Sequence, residues 1–150
     1  MLGINAQRAR ALLESGGHTL ALVREEKALS SDLRGVAGLV ELIGAGKDLA
    51  GFSAADRVVG KAAALLFALA GVEEVYAGVM SRPAALFLKE AGVRFAYGVL
   101  VEGIINRAGD GPCPMERAVL GISDPALGLD AILKKQAELR VLAGKRGERK

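Results

Sequence analysis

One strand–helix–strand unit restricts the fold of this chain more than any other feature. Residues 73–80 (EEVYAGVM) have strand composition, residues 82–90 predict a helix that starts at a proline and stops before Gly92, and residues 93–101 (VRFAYGVLV) predict a second strand. Strands joined by such a helix lie parallel in one sheet, through a right-handed crossover. The sequence therefore predicts an α/β fold.

The rest of the chain continues this alternation of helices and short strands. Gly16 and Gly17 mark the end of a first helix that Asn5 can cap. This helix covers residues 5–14. The other predicted elements are a hairpin of strands 18–23 and 27–31, a helix over 36–43, a helix or strand near 101–106, a helix over 114–120 and a helix that opens at 123–125.

Residues 53–70 predict a long helix between the hairpin and the first parallel strand. Ser53 and Asp56 have the spacing of a capping box, in which each side chain satisfies a backbone N–H at the helix start. The apolar pattern continues to Ala70, and Gly71 follows as a stop signal. On this helix Arg57 and Lys61 share one face, as a solvated basic pair or as a phosphate contact.

Composition and charge bound the class of protein. A chain of 150 residues with 51% hydrophobic and 25% charged residues predicts one globular domain over 1–143, followed by a basic, disordered tail over 144–150. The tail accounts for the whole net charge of +3, and no basic stripe with interleaved aromatic residues occurs, so we expect no nucleic-acid partner.

Several features bear on location and assembly. The longest apolar run, 62–72, is too short to cross a bilayer, so we expect no membrane partner. The lone cysteine and the lack of a secretory segment predict a cytoplasmic protein. The mean hydropathy of +0.31 suggests surface covered by another subunit, and hence a homo-oligomer. Scarce Asn and Gln residues suggest a heat-adapted source.

The segment GPCPME, residues 111–116, looks like half of a zinc site. In zinc-dependent nucleobase deaminases a P-C-x-x-C segment supplies two thiolates, and an H-x-E segment supplies the third ligand and a catalytic glutamate. Here glutamate replaces the second cysteine. Cys113 and His18 are the soft or imidazole ligands of the whole chain, so we predict no cofactor and regard zinc as unfavoured.

The stretches GKDLAGFSAADRVVGKAAALL, EEVYAGVMS and IINRAGDGPCPME resemble a small prokaryotic family of uncharacterised proteins assigned a cytidine-deaminase-like fold. The resemblance runs from about residue 12 to residue 133. It implies a three-layer α/β/α arrangement with a mixed sheet. In deaminases of that fold H-x-E opens the first crossover helix and P-C-x-x-C the next. The corresponding segments, 52–56 and 80–84, contain no His or Cys.

A crevice is expected where helix starts meet the carboxyl ends of the parallel strands. Ser53, Asp56, Lys61, Ser81 and Arg82 are the candidate ligand-binding residues, since helix N-termini and basic side chains favour anions such as phosphate. The simpler interpretation of Ser53 and Asp56 is a capping box alone.

The segment 106–113 is a candidate second wall of that crevice. Asn106 and Arg107 are candidate ligand-binding residues, with Arg107 as a bidentate anion ligand. Asp110 and Cys113 are candidate catalytic residues, since a thiol at a helix start is a potential nucleophile. The structural alternative makes Asp110 a turn former and Cys113 a small buried hydrophobe. Glu116 is expected to compensate the dipole of its own helix.

Three functional hypotheses follow from the sequence. The first is a non-zinc, deaminase-like protein that binds a nucleotide or a nucleotide-derived ligand. The second is a hydrolase or transferase that acts on a nucleotide-like substrate through Cys113 or Asp110. The third is an oligomeric scaffold module, which the high apolar fraction motivates.

Overall fold

The computed structural model describes residues 2–106, 108, 109 and 111–148, with side chains through residue 144. Six helices and five strands are assigned within them. In chain order they are α1 (Ile4–Gly16), β1 (Leu20–Arg24), β2 (Lys27–Ser31), α2 (Ala37–Gly44), β3 (Ser53–Val59), α3 (Lys61–Ala70), β4 (Glu74–Ser81), α4 (Arg82–Glu90), β5 (Arg94–Val101), α5 (Pro114–Ala118) and α6 (Pro125–Glu148).

The five strands form one mixed sheet in the order β2-β1-β3-β4-β5. Strand β1 is antiparallel to both β2 and β3, whereas β3, β4 and β5 run parallel to one another. The register places Leu22 beside Ala54, and Ala54 beside Val75. The predicted α/β class is confirmed, as are the hairpin and the strand–helix–strand unit of β4, α4 and β5.

Helices cover both faces of the sheet, because successive strand residues point to opposite sides. The smaller core cluster joins α1 to Ala21, Ala55 and Tyr76. The larger cluster surrounds α3, whose residues 62–67 are all buried. Helices α4 and α6 also pack against α3. No helix in the described part of the chain is long and apolar enough to span a membrane.

The predicted long helix over residues 53–70 is wrong in its first half. Residues 53–59 are strand β3, paired with β1 on one side and β4 on the other, and the helix begins at Lys61. Pairing on both sides buries Ser53 and the three residues after it. These tertiary contacts outweigh the local capping-box pattern. Arg57 and Lys61 therefore do not share a helix face.

Smaller corrections concern three other predicted elements. The N-cap of α1 is Gly3, and Asn5 instead accepts a hydrogen bond from the Glu25 N–H. Residues 102–106 form no helix, and Ile105 makes an isolated antiparallel bridge to Pro112. Helix α6 extends through Glu148. The rest of the prediction of a disordered tail over 144–150 concerns the side chains after residue 144 and the residues after 148, which lie outside the described part of the chain.

The parallel strands share one interruption. Pairing between β3, β4 and β5 runs through Asp56, Ala77 and Tyr97, skips one position in each strand, and then resumes. The skipped positions of β4 and β5 are Gly78 and Gly98. A Cβ on Gly78 would lie 2.9 Å from the Arg57 carbonyl oxygen, and one on Gly98 would lie 2.8 Å from that of Gly78. Glycine is required here because the backbones approach closely.

Asp56 lies next to this interruption and is buried. Its Oδ1 accepts a hydrogen bond from the Val58 N–H at 3.4 Å. Burial is the main cause that raises the pKa of Asp56 from 3.8 to about 7, and backbone hydrogen bonds oppose it. Asp56 is therefore a strand residue whose side chain accepts a hydrogen bond from the backbone two residues further on, and it does not lie at the start of a helix.

We predict that Asp56 makes folding less favourable as pH rises. Below about pH 4 the carboxyl is protonated in both folded and unfolded chains, and between pH 4 and 7 only the unfolded chain releases the proton. The folded chain therefore loses up to about 4 kcal/mol of stability across this window. Asp56→Asn removes this contribution, so its stability relative to the wild type should increase between pH 4.5 and 7.5 in denaturant titrations.

The matched control is Asp130→Asn, since Asp130 lies exposed on α6. Its stability relative to the wild type should stay constant over the same pH range. A difference between Asp56→Asn and wild type that does not change with pH would contradict the assignment.

Candidate functional site

The carboxyl ends of the three parallel strands lie at one edge of the sheet. Val59, Ser81 and Val101 end these strands, and α3 and α4 begin directly after β3 and β4. In open α/β sheets this edge is where crevices for small ligands form. The segment after β5 returns over the same edge and leads into α5.

A carboxylate from α5 occupies the start of α3. The backbone N–H of Lys61 donates to Glu116 Oε1 at 2.7 Å, and that of Ala62 donates to Oε2 at 2.8 Å. The first N–H groups of a helix have no partner within the helix, and the positive end of its dipole favours an anion. Glu116 thus supplies the acceptors that α3 lacks, since Gly60 at its N-cap has no side chain to do so.

The loop before α5 places Glu116 at this position. The Asn106 N–H donates to the Gly111 carbonyl oxygen at 2.8 Å, and the Cys113 N–H donates to that of Ile104 at 2.9 Å. These bonds fold the segment back on itself. Cys113 occupies the N-cap position of α5 without a side-chain hydrogen bond to the helix, α5 starts at Pro114, and Glu116 lies in its first turn. Glu116 therefore accepts hydrogen bonds from the start of α3 and also places a negative charge in the first turn of α5.

A small crevice lies beside the Glu116 carboxylate, with a cavity of about 90 Å³. Its walls are mostly apolar. They include Gly35, Val36, Val58, Ile104, Cys113 and Glu116. Larger surface depressions occur elsewhere, but they are open and lie away from the carboxyl ends of the parallel strands. One of them lies at the opposite edge of the sheet, beside Glu74 and Arg94 at the starts of β4 and β5. The crevice thus combines an apolar wall with one carboxylate and one thiol.

Lys61, Ser81 and Arg82, three of the candidate ligand-binding residues, lie at this edge of the sheet. That they bind a ligand stays a prediction. Lys61 also donates through Nζ to the Val119 carbonyl oxygen at 3.3 Å. Ser81 is buried, and its Oγ caps α4 by accepting from the Ala84 N–H at 3.2 Å. Arg82 forms an exposed ion pair with Glu102 at 3.0 Å and holds the pKa of that carboxyl below its usual value.

Ser53 and Asp56 do not border the crevice as we predicted. Ser53 pairs with Val23 and Glu74 at the beginning of β3, so its distance from the crevice edge is about 20 Å along the strand. Asp56 lies in the middle of β3 with its carboxyl buried. The difference arises because the sequence predicts a helix start at residue 53, which would bring both side chains to the carboxyl edge of the sheet. Strand β3 places them at its beginning and in its middle instead.

The predicted second wall is described only in part. Asn106 and Cys113 each take part in the fold of the loop, through backbone N–H groups that donate to Gly111 and to Ile104, respectively. Arg107 and Asp110 lie outside the described residues. The predicted roles of these two side chains stay predictions.

Donors for a metal are not gathered among the described residues. No group of three or more His, Cys, Asp or Glu side chains occurs there. The His18 Nδ1 lies 2.7 Å from Asp32 Oδ1. The Glu116 carboxylate faces backbone N–H groups. The described donor set therefore does not fit a zinc site of the deaminase kind, which needs three protein ligands.

Glu116 and Gly60 have roles in the structure that the sequence pattern does not reveal. The sequence predicts only that Glu116 compensates the dipole of its own helix, yet both of its oxygens accept from α3. The available signal was a helix preceded by Gly60 without a capping side chain. A Cβ on Gly60 would overlap with the Glu116 carboxylate, so glycine at this position is what admits the carboxylate.

Comparison with known proteins gives a family but no activity. The family described as "TM1506: Domain of unknown function (DUF1893)" matches residues 8–135. No curated protein matches the chain. The crystal structure of a DUF1893 family protein (TM1506) from Thermotoga maritima is similar, with 28% sequence identity and a TM-score of 0.81, over 90% of this chain and 92% of that one. The chain belongs to the DUF1893 family.

Proposed function

We propose that this chain is a zinc-independent, deaminase-like protein that binds a nucleotide-derived small ligand in the crevice beside Glu116. The observation that carries the proposal is the carboxylate held by the Lys61 and Ala62 N–H groups in the wall of that crevice. A fixed carboxylate beside an apolar slot is an arrangement that recognises a ring carrying N–H donors. A cytoplasmic location, a homo-oligomeric state and a heat-adapted source stay predictions.

The order of elements supports a deaminase-like fold. A hairpin adjoins parallel strands joined by two crossover helices, as the sequence resemblance implies. The first crossover helix starts at Gly60-Lys61-Ala62 rather than at residues 52–56, and the second starts at Ser81-Arg82-Pro83-Ala84. Neither start contains His or Cys. We therefore place the ligand where a deaminase has its pocket, at the starts of the crossover helices, although the metal ligands of a deaminase are absent from those two helix starts.

The size and lining of the crevice define the ligand chemistry. A cavity of about 90 Å³ holds a single small ring, so the rest of a nucleotide-derived ligand lies outside it. Each Glu116 oxygen accepts one backbone N–H and retains a lone pair for an amino or ring N–H of a nucleobase. Arg82 stands at the same edge and is half exposed, which suits a phosphate group outside the crevice.

The second candidate is a hydrolase or transferase that uses Cys113 as a nucleophile. The observation that favours it is that the half-buried Cys113 lines the same crevice as Glu116. Asp110, the other proposed catalytic residue, lies outside the described residues. In this version the ring binds in the same way. The Cys113 sulfur, after its proton passes to water, forms a bond to the electrophilic atom of a group attached to the ring, and the bond between that group and the ring breaks, so that the ring leaves and takes up a proton. Water or an acceptor hydroxyl then takes the group from the sulfur and the thiol is restored.

We expect an amino-substituted nucleobase, nucleoside or nucleotide to raise the melting temperature of the protein. Binding to the folded state alone contributes about 2.7 kcal/mol when the free ligand is at 100 times its Kd, which corresponds to a shift of several degrees. Ile104→Trp should abolish the shift by filling the crevice. Ile105→Trp is the matched control, because Ile105 is 64% exposed. No shift with any member of a broad nucleotide panel would contradict the proposal.

We predict that Glu116→Ala destabilises the fold by about 1–3 kcal/mol, since two backbone N–H groups lose charged acceptors. Gly60→Ala should cost a similar amount, because its Cβ displaces the same carboxylate. The double variant should be no less stable than Glu116→Ala alone, as a double-mutant cycle measured by denaturant unfolding would show. Additive losses would contradict the Glu116 contact.

Cys113→Ser separates the two candidate functions. If the protein only binds, the variant should fold and keep its ligand-induced shift in melting temperature, because serine fills nearly the same volume. If the protein is an enzyme that uses this thiol, turnover of a bound nucleotide-like substrate should fall at least a hundredfold while binding remains. Unchanged turnover in Cys113→Ser would exclude the nucleophile.

A further inference from the structure

The outer edge of β5 is unprotected. Strand β5 ends the sheet, and no strand in the described part of the chain pairs with its outer side. It is eight residues long and contains neither proline nor lysine. Natural proteins shield such edges with short strands, proline, lysine or a covering element, because free N–H and C=O groups pair readily with another strand.

Apart from Arg94 at its start, the exposed side chains of β5 are apolar. Tyr97 is 42% exposed and Val99 is 55% exposed. The only charged residue of the strand is Arg94 at its start, and Glu102 follows its end. Exposed large apolar residues on a free strand edge are typical of a surface that takes part in association with another chain.

The charges at the two ends of β5 fit a second copy of the same strand. At the start, Arg94 is paired with Glu73 at 3.4 Å; at the end, Glu102 is paired with Arg82 at 3.0 Å. In an antiparallel pairing of two copies, the start of one strand lies beside the end of the other. Arg94 then approaches Glu102 of the second copy twice, once at each end.

We propose that two copies of this chain associate through antiparallel pairing of their β5 strands, which joins two five-stranded sheets into one of ten. The two-fold axis passes close to Gly98, near the middle of the strand, where no side chain keeps the chains apart. Tyr97 and Val99 of one copy then pack against those of the other. Charge complementarity selects a second copy over an unrelated peptide.

Val99→Lys tests the interface, since lysine places like charges close together across the axis. Sedimentation velocity should show a dimer for the wild type, and the variant should raise the dimer Kd at least tenfold. Val141→Lys on α6 is the control: Val141 is 57% exposed and lies outside the proposed interface. A wild-type monomer at every concentration, or a dimer disrupted by Val141→Lys and not by Val99→Lys, would overturn the proposal.

A mixing experiment tests the orientation of the strands. Arg94→Glu places Glu beside Glu102 in a homodimer, and Glu102→Arg places Arg beside Arg94. Each variant alone should therefore dimerise about tenfold more weakly than the wild type. Mixing the two restores opposite charges at both ends, so an equimolar mixture should recover the dimer. A mixture that stays as dissociated as its components would contradict antiparallel pairing.

Both experiments measure association and need no ligand. A failure of nucleotide binding therefore leaves this proposal untouched. Folding of each variant is checked by its circular dichroism spectrum and melting temperature, which should match those of the wild-type monomer, because all four substituted positions, residues 94, 99, 102 and 141, are exposed.

Discussion

The contact between the Glu116 carboxylate and the start of α3 joins helix α5 and the loop before it to the carboxyl ends of the parallel strands. Helix α3 is buried along most of its length, so its first N–H groups need acceptors from the protein itself. Glu116 provides both oxygens and thereby holds α5 and the returning loop over the carboxyl ends of the parallel strands. The crevice exists because this loop is held there. This contact requires glycine at position 60, since any larger residue would overlap with the Glu116 carboxylate.

Much of the fold could be predicted from the sequence because its signals are local. The hairpin and the unit of β4, α4 and β5 show their own periodicity and stop signals. Strand β3 could not be predicted in this way, because its short Ala-rich sequence with the S-x-x-D spacing is compatible with a helix start. Pairing with β1 and β4 decides its conformation, and those partners are distant in sequence.

The same reason explains which parts of the site were predicted. The segment GPCPME stood out in the sequence, and the structure places Cys113 and Glu116 of that segment in the crevice wall. The spacing of Ser53 and Asp56 predicts the start of a helix, whereas the structure has strand β3 at that position. The contact between Glu116 and α3 spans about 55 residues, so no spacing rule reveals it. The DUF1893 family is described as a domain of unknown function, so membership of it does not identify a ligand.

Chemical-shift mapping by NMR tests the central claim most directly. The largest ligand-induced changes in backbone amide shifts should occur at Lys61, Ala62 and Cys113, because the proposed ligand shares the acceptors of the first two and lies against the third. Residues near Ser53, at the other end of the sheet, should change little. Changes concentrated near Ser53, with Lys61 and Ala62 unaffected, would contradict a binding site at the start of α3.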